Sequence, residues 1–211
     1  MPEKPLQTSE LYSDNEIAEW REGWSMFLEN FGDIQPSMEI TSASIGQLIA
    51  LFMGEKPAIF KSPFRKHRAG ELMAIGLGVD GDFIYRRELV QSVMDKHKQI
   101  FARYGLHYPE QVINFLNKAN IKEHNIIRGL TLGIPFASVM DHENKRNFGD
   151  KTTGINIHGI QWVDYAPSEE SAAKQKRLRD AFRISGAKPY IESIDREYKA
   201  LEAREAIRQI R

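Results

Sequence analysis

The stretch Thr152–Ser168, TTGINIHGIQWVDYAPS, carries the only sustained alternation of apolar and polar residues in the chain. Alternation at period two is what a half-buried strand needs, because successive side chains point to opposite faces. Ile155 and Ile157 share one face, and beyond Gly159 the phase slips so that Ile160 and Trp162 point the same way. A glycine at such a slip predicts a bulge, a feature of sheet edges and site margins. A strand also needs a partner. Three are available: the segment PAIFKS at 57–62, the segment GDFIYRR at 81–87, or the same strand folded back at Gly159 into a hairpin.

Outward from this stretch the periodicity is helical. Ser13 and Glu16 have the spacing of a capping box, and Ile17, Trp20, Trp24, Phe27, Leu28 and Phe31 follow as an aromatic stripe that stops at Gly32. SASIGQLIALFMG (42–54) reads as a buried helix closed by Gly54. Ser62 followed by Pro63 opens a third, running to about Gly76 or Gly78. In FIYRRELVQSVMDKHKQIFARYG (83–105), Leu89, Val90, Val93, His97, Ile100, Phe101 and Tyr104 share a face, with Gly105 as the stop.

Pro109 and Pro135 are placed as first-turn prolines of two more helices, with IKEHNIIRGLTLG (121–133) helical between them. Ser168 caps the next helix, and a last one starts near Pro189. Its stripe of Ile191, Ile194, Tyr198 and Leu201 thins to Ile207 and Ile210, so its end is expected to project or to meet a partner. The expected fold is mainly α: a multi-helix globular domain with a small β element, a hairpin or short sheet, near 154–165. Residues 1–12 form a flexible acidic lead-in, 13–200 a single helical domain and 201–211 a charged helix end.

Composition bounds what such a domain does. Of the 211 residues 41% are hydrophobic and 27% charged, the balance of a globular chain. There is no cysteine, which excludes a disulfide framework, a thiolate nucleophile and zinc–cysteine chemistry. No apolar run has membrane-spanning length, and the polar, acidic start MPEKPLQTSELYSDNE does not suit a signal peptide, so a cytoplasmic location without membrane contact is expected. The net charge of zero hides an asymmetry. Residues 1–40 hold nine acids against Lys4 and Arg21, a balance of −7 that the remaining residues offset. Such a helix can steer a partner, pair within the chain, or simply face solvent.

Candidate chemistry is sparse. Asp141, His142 and Glu143 are metal-capable, but consecutive helical residues point about 100° apart and do not chelate one ion. No metal and no cofactor is expected. The glycines at 70, 76, 78 and 81 sit in and after a predicted helix rather than between a strand and a helix, and the P-loop lysine is missing. Lys61, Arg65, Lys66 and Arg68 surround a helix start and form a candidate anion site. A second basic run, Lys174, Lys176, Arg177 and Arg179, would extend it to nucleic-acid size. Neutral overall charge and the lack of a reading motif argue against nucleic acid.

The leading functional expectation is a non-catalytic interaction or regulatory protein, meeting a protein partner or a second copy through Trp20 and Trp24 or through Ile207 and Ile210. The alternative is a small-substrate enzyme with a pocket between the 123–143 helices and the 154–165 strand, using His142, His158 and Asp164 as acid and base. Phosphate or nucleic-acid binding through 61–68 and 174–179 is the third.

Overall fold

The computed structural model describes residues 11–61, 64, 69–118, 124–144, 152–164 and 168–210. Helix α1 (Asp14–Phe31) starts where the capping box predicts: the Ser13 amide donates to Glu16 Oε2 at 3.0 Å and the Glu16 amide to Ser13 Oγ at 3.3 Å. Its stripe faces inward, with Trp20, Phe27 and Phe31 buried. Helix α2 (Ser42–Phe52) is capped by Thr41, whose hydroxyl accepts from the Ser44 amide. The two helices cross at Gly23, where an added Cβ would stand 2.2 Å from the Phe52 carbonyl oxygen. Only glycine permits that approach.

Next come β1 (Ala58–Phe60), α3 (Ala69–Ala74), β2 (Gly78–Asp80) and β3 (Phe83–Tyr85). These strands form an antiparallel sheet in the order β1-β3-β2, with Ala58 opposite Tyr85 and Gly78 opposite Tyr85 on its other edge. The segments PAIF and FIY therefore pair with each other rather than with the stretch at 152–168. The residues Phe83–Tyr85, expected either to begin a helix or to pair with the 154–165 strand, are the central strand of this sheet, and the helix starts at Arg87.

A helical run follows: α4 (Arg87–Lys96), α5 (Lys98–Arg103), α6 (Pro109–Lys118), α7 (Asn125–Thr131) and α8 (Phe136–Asn144). The single helix expected across His97 breaks there, at φ −119° and ψ 32°. Strands β4 (Thr153–Ile157) and β5 (Ile160–Asp164) form a hairpin, with Ile157 opposite Ile160 and Thr153 opposite Asp164. His158 at φ 51° and Gly159 at φ 89° make its two-residue turn. Positive φ at both central positions is the type I′ geometry that matches the twist of the strands. The phase slip at Gly159 is thus a reversal of direction and not a bulge.

Helices α9 (Glu169–Ser185) and α10 (Ala187–Ile210) close the fold, with Ser168 as N-cap of α9 and Gly186, at φ 90°, between them. The fold is mainly α, with ten helices and two small antiparallel sheets among the described residues. Buried side chains form two clusters. One joins α1, α2, α3, the hairpin and α9–α10 with Ile59 and Ile84 of the first sheet; the other joins Ala58, Phe83 and Tyr85 of that sheet to α4–α8. No helix among the described residues is long and apolar enough to cross a membrane.

Candidate ligand pocket between α7, α8 and β5

Helices α7 and α8 form a tight corner. Gly129 of α7 faces Val139 of α8 so closely that an added Cβ would lie 2.7 Å from Val139 Cγ2, and Gly133 turns the chain at φ 74°. The Thr131 hydroxyl returns its hydrogen bond to the Ile127 carbonyl at 2.7 Å, so this buried side chain asks nothing of its neighbours. At the start of α8 the Ala137 amide, one of the donors a helix leaves without an internal acceptor, is met at 2.9 Å by Glu170 of α9.

The base of the hairpin is pinned to this corner by Asp164, which is only 6% exposed. Its Oδ1 accepts from Ser138 Oγ at 2.5 Å and from Trp162 Nε1 at 2.9 Å, and its Oδ2 accepts from the Ser171 hydroxyl. Trp162 Nε1 also reaches Ser171 Oγ at 3.0 Å. Three neutral donors from α8, β5 and α9 thus hold one carboxylate. Its acceptor positions are committed to fixed donors, which suits an anchor better than a proton carrier.

Above this anchor lies a cavity of about 330 Å³. Gly129, Leu132, Ile134, Val139, Trp162 and Val163 make its apolar wall, and Asn125, Arg128 and His142 also line it. The Arg128 guanidinium stands 5.0 Å from the centre of the Phe60 ring. Among the described residues no carboxylate pairs with it. Stacking fixes its direction while leaving its donors available to an anion.

The structure separates the three acid–base candidates. His142 is exposed at the rim of the cavity, one helical turn beyond Ser138. His158 sits at the opposite end of the hairpin from Asp164, about 13 Å away along four residues of strand. Its ring packs on Phe182 at 4.5 Å, and its turn docks on α2, where Gln47 Nε2 donates to the Gly159 carbonyl at 3.1 Å. Burial pushes the His158 imidazole down from its ordinary value; Glu192 opposes this, and Lys188 and Arg179 add to it. A neutral ring at neutral pH follows.

The other candidate residues fall elsewhere. Lys61 is half-buried in the turn after β1, and Arg65, Lys66 and Arg68 lie outside the described residues. Lys174 and Arg177 turn inward to Glu55, at 3.2 and 2.8 Å, and Arg177 also reaches Glu16 at 2.5 Å. Lys176 and Arg179 remain exposed. Trp20 is buried with its Nε1 on Glu55 at 2.8 Å, and Trp24 is half-buried between Phe27 and Tyr190. Ile207 is 56% exposed near the end of α10; Ile210 closes that helix, and its side chain lies outside the described residues. No group of His, Asp and Glu that would hold a metal ion occurs among the described residues.

Nothing in the sequence marks Arg128, Asn125 or Ser138, because an isolated arginine, asparagine or serine in a helical run carries no motif. Comparison with known proteins adds no assignment: no family model, curated protein or solved structure matches this chain.

Proposed function

We propose that this protein is a non-catalytic regulatory module that binds a small, largely apolar acid in the cavity between α7, α8 and β5. What carries the reading is a single combination: an apolar-walled cavity of about 330 Å³ with a stacked arginine that has no carboxylate partner among the described residues. An apolar pocket with one or two placed polar groups is the usual build of a small-molecule site. The apolar body of the ligand would lie on Leu132, Ile134, Val139 and Trp162, with its carboxylate on Arg128. Asp164 holds the wall, and His142 and His158, set apart from one another, have no catalytic part in it.

The test uses octanoate and octanol as probes in isothermal titration calorimetry. Octanoate binds saturably and octanol about tenfold more weakly, the difference expected of one charge-assisted contact. Arg128→Leu removes that difference. Val163→Trp, a change at a half-exposed strand position that fills the cavity, abolishes binding of both. Equal octanoate binding by the Val163→Trp variant, or no saturable binding by the wild type, overturns the reading.

A further inference from the structure

A different part of the molecule carries an independent inference. Helix α10 outruns the body. Among the described residues its last side-chain bond to the body is at Asp195, which accepts from Ser42 Oγ at 3.1 Å, and its last half-buried apolar residue is Leu201. From Glu202 to Arg208 every side chain except that of Glu205 is exposed. These seven residues extend about 10 Å of helix into solvent. On a 3.6-residue helix Ala203, Arg204 and Ile207 share a face, whereas Glu202 and Glu205 fall on the other side. The arm thus presents an isoleucine flanked by a cation, with its acids turned away. A short helix end without packing is marginal in water.

The complementary surface lies on α1. Between α1 and the turn after α3 runs a groove of about 270 Å³, with Met26, Phe52, Ile75 and Leu77 along it. Its rim carries Glu19 and Glu22, both exposed and without an ion-pair partner among the described residues. Arg86, also at the rim, is tied to Glu88 at 2.5 Å and leaves their charge unopposed. This is the acidic face of the segment that holds seven net negative charges.

We infer that two copies of this chain exchange their C-terminal arms, the Ile207 face of each α10 seating in the α1 groove of the other beside Glu19 and Glu22. The contact is made in trans because of where the parts stand. The arm leaves past the N-terminal end of α2, at Ser42, while the groove lies at the C-terminal end of α2, at Phe52. Eleven residues of helix, about 16 Å, separate them within one chain. Reciprocal exchange makes a closed two-fold dimer, in which the same pair of surfaces is used twice.

Sedimentation velocity of the full-length chain tests this. The wild type shows a mass that doubles as concentration rises, and the dimer weakens between about 0.05 and about 0.5 M salt, as screening of exposed charges requires. Ile207→Asp and the double change Glu19→Lys/Glu22→Lys each give monomers, and all three positions are exposed, so both variants fold. Mixed together the two variants associate, because one retains an intact groove and the other an intact arm. A wild type that stays monomeric at every concentration overturns the inference and leaves the arm to some other partner. Loss of association in Ile207→Asp alone, with the groove variant unaffected, also overturns it and indicates pairing of two α10 helices. So does failure of the mixture to associate.

Discussion

Glu55 and Asp164 are both withdrawn from water, and the chain satisfies them by opposite chemistry. Glu55, 3% exposed, is met by the cations Lys174 and Arg177 and by the Trp20 indole. Asp164 is met by two hydroxyls and an indole, with no cation. Removing one partner of a buried ion pair leaves the other uncompensated, whereas a hydroxyl can reverse its bond and donate or accept. Glu55→Gln is therefore expected to lose about 2–4 kcal/mol, discounted because Lys174 and Arg177 keep some contact with water. Asp164→Asn is expected to lose only about 1–2 kcal/mol, since Ser138 and Ser171 can turn to accept from the new amide. Urea unfolding of the two variants side by side checks the order; equal losses would mean the charge of Glu55 is immaterial. Neither environment was legible in the sequence, where Glu55 is one acid in a glycine-flanked turn. The basic run at 174–179 was visible, and half of it turns out to be the inward-facing counterpart of acids on α1 and after α2.

At the scale of elements, the hairpin shows how a correct pattern can carry a wrong local geometry. The alternation from Thr153 to Asp164 was plain, and so was the glycine, but a bulge and a two-residue turn produce the same slip of phase. Asn-Gly would have announced the turn; His-Gly does so weakly, because histidine enters positive φ less readily than asparagine. What fixes the turn is its seat. A Cβ on Gly46 would stand 1.6 Å from the His158 carbonyl oxygen, and one on Gly159 would stand 2.3 Å from Ala43 Cα. Gly46→Ala must then push the hairpin off α2, and overpacking of backbone on backbone is expected to cost about 3 kcal/mol or more. A thermal-unfolding midpoint unchanged by Gly46→Ala would show that the hairpin tip is not held by α2. The helix starts were legible because Ser13 and Ser168 announce them with side chains. The first sheet was legible only as two candidate partners for the 154–165 strand; that they pair with each other was not, since three residues cannot display a period, and Phe83–Tyr85 runs into a strongly helical pattern.

Across the whole molecule, the two buried clusters meet at the first sheet, whose Ile59 and Ile84 lie in one and Ala58, Phe83 and Tyr85 in the other, and a buried lysine beside it adds a polar link. Lys56 follows Glu55 in the turn after α2, is 5% exposed, and donates from Nζ to the Leu132 carbonyl at 2.6 Å, at the end of α7. A helix C-terminus is a fitting acceptor for a cation, but one carbonyl does not replace a hydration shell. Burial, reinforced by the like charge of Lys174, lowers the ammonium to about 7 from its ordinary 10.5. The sign of the consequence is fixed by proton counting. Between these two values the unfolded chain holds a proton that the folded chain has released, so stability rises as pH increases through that range. Below the lower value the folded state bears the full cost of the buried charge. Tyr12 acts oppositely at higher pH: burial and its bond to Asp180 hold its hydroxyl up to about 12, so the unfolded chain releases that proton first above 10.0. The lysine's effect is therefore read on the neutral side of that value. Lys56→Met keeps the length and apolar stem while removing the charge, and at pH 7 it is expected to stabilise the fold by about 1–3 kcal/mol, as replacement of buried ionic groups by apolar ones often does. Its stability should also lose the rise from pH 7 to 9 that the wild type shows, measured as denaturant midpoints across that range. A variant less stable than the wild type at pH 7 would mean that the bond to Leu132 outweighs the burial of the charge, and that the ammonium adds to the sheet's own hold between the two clusters.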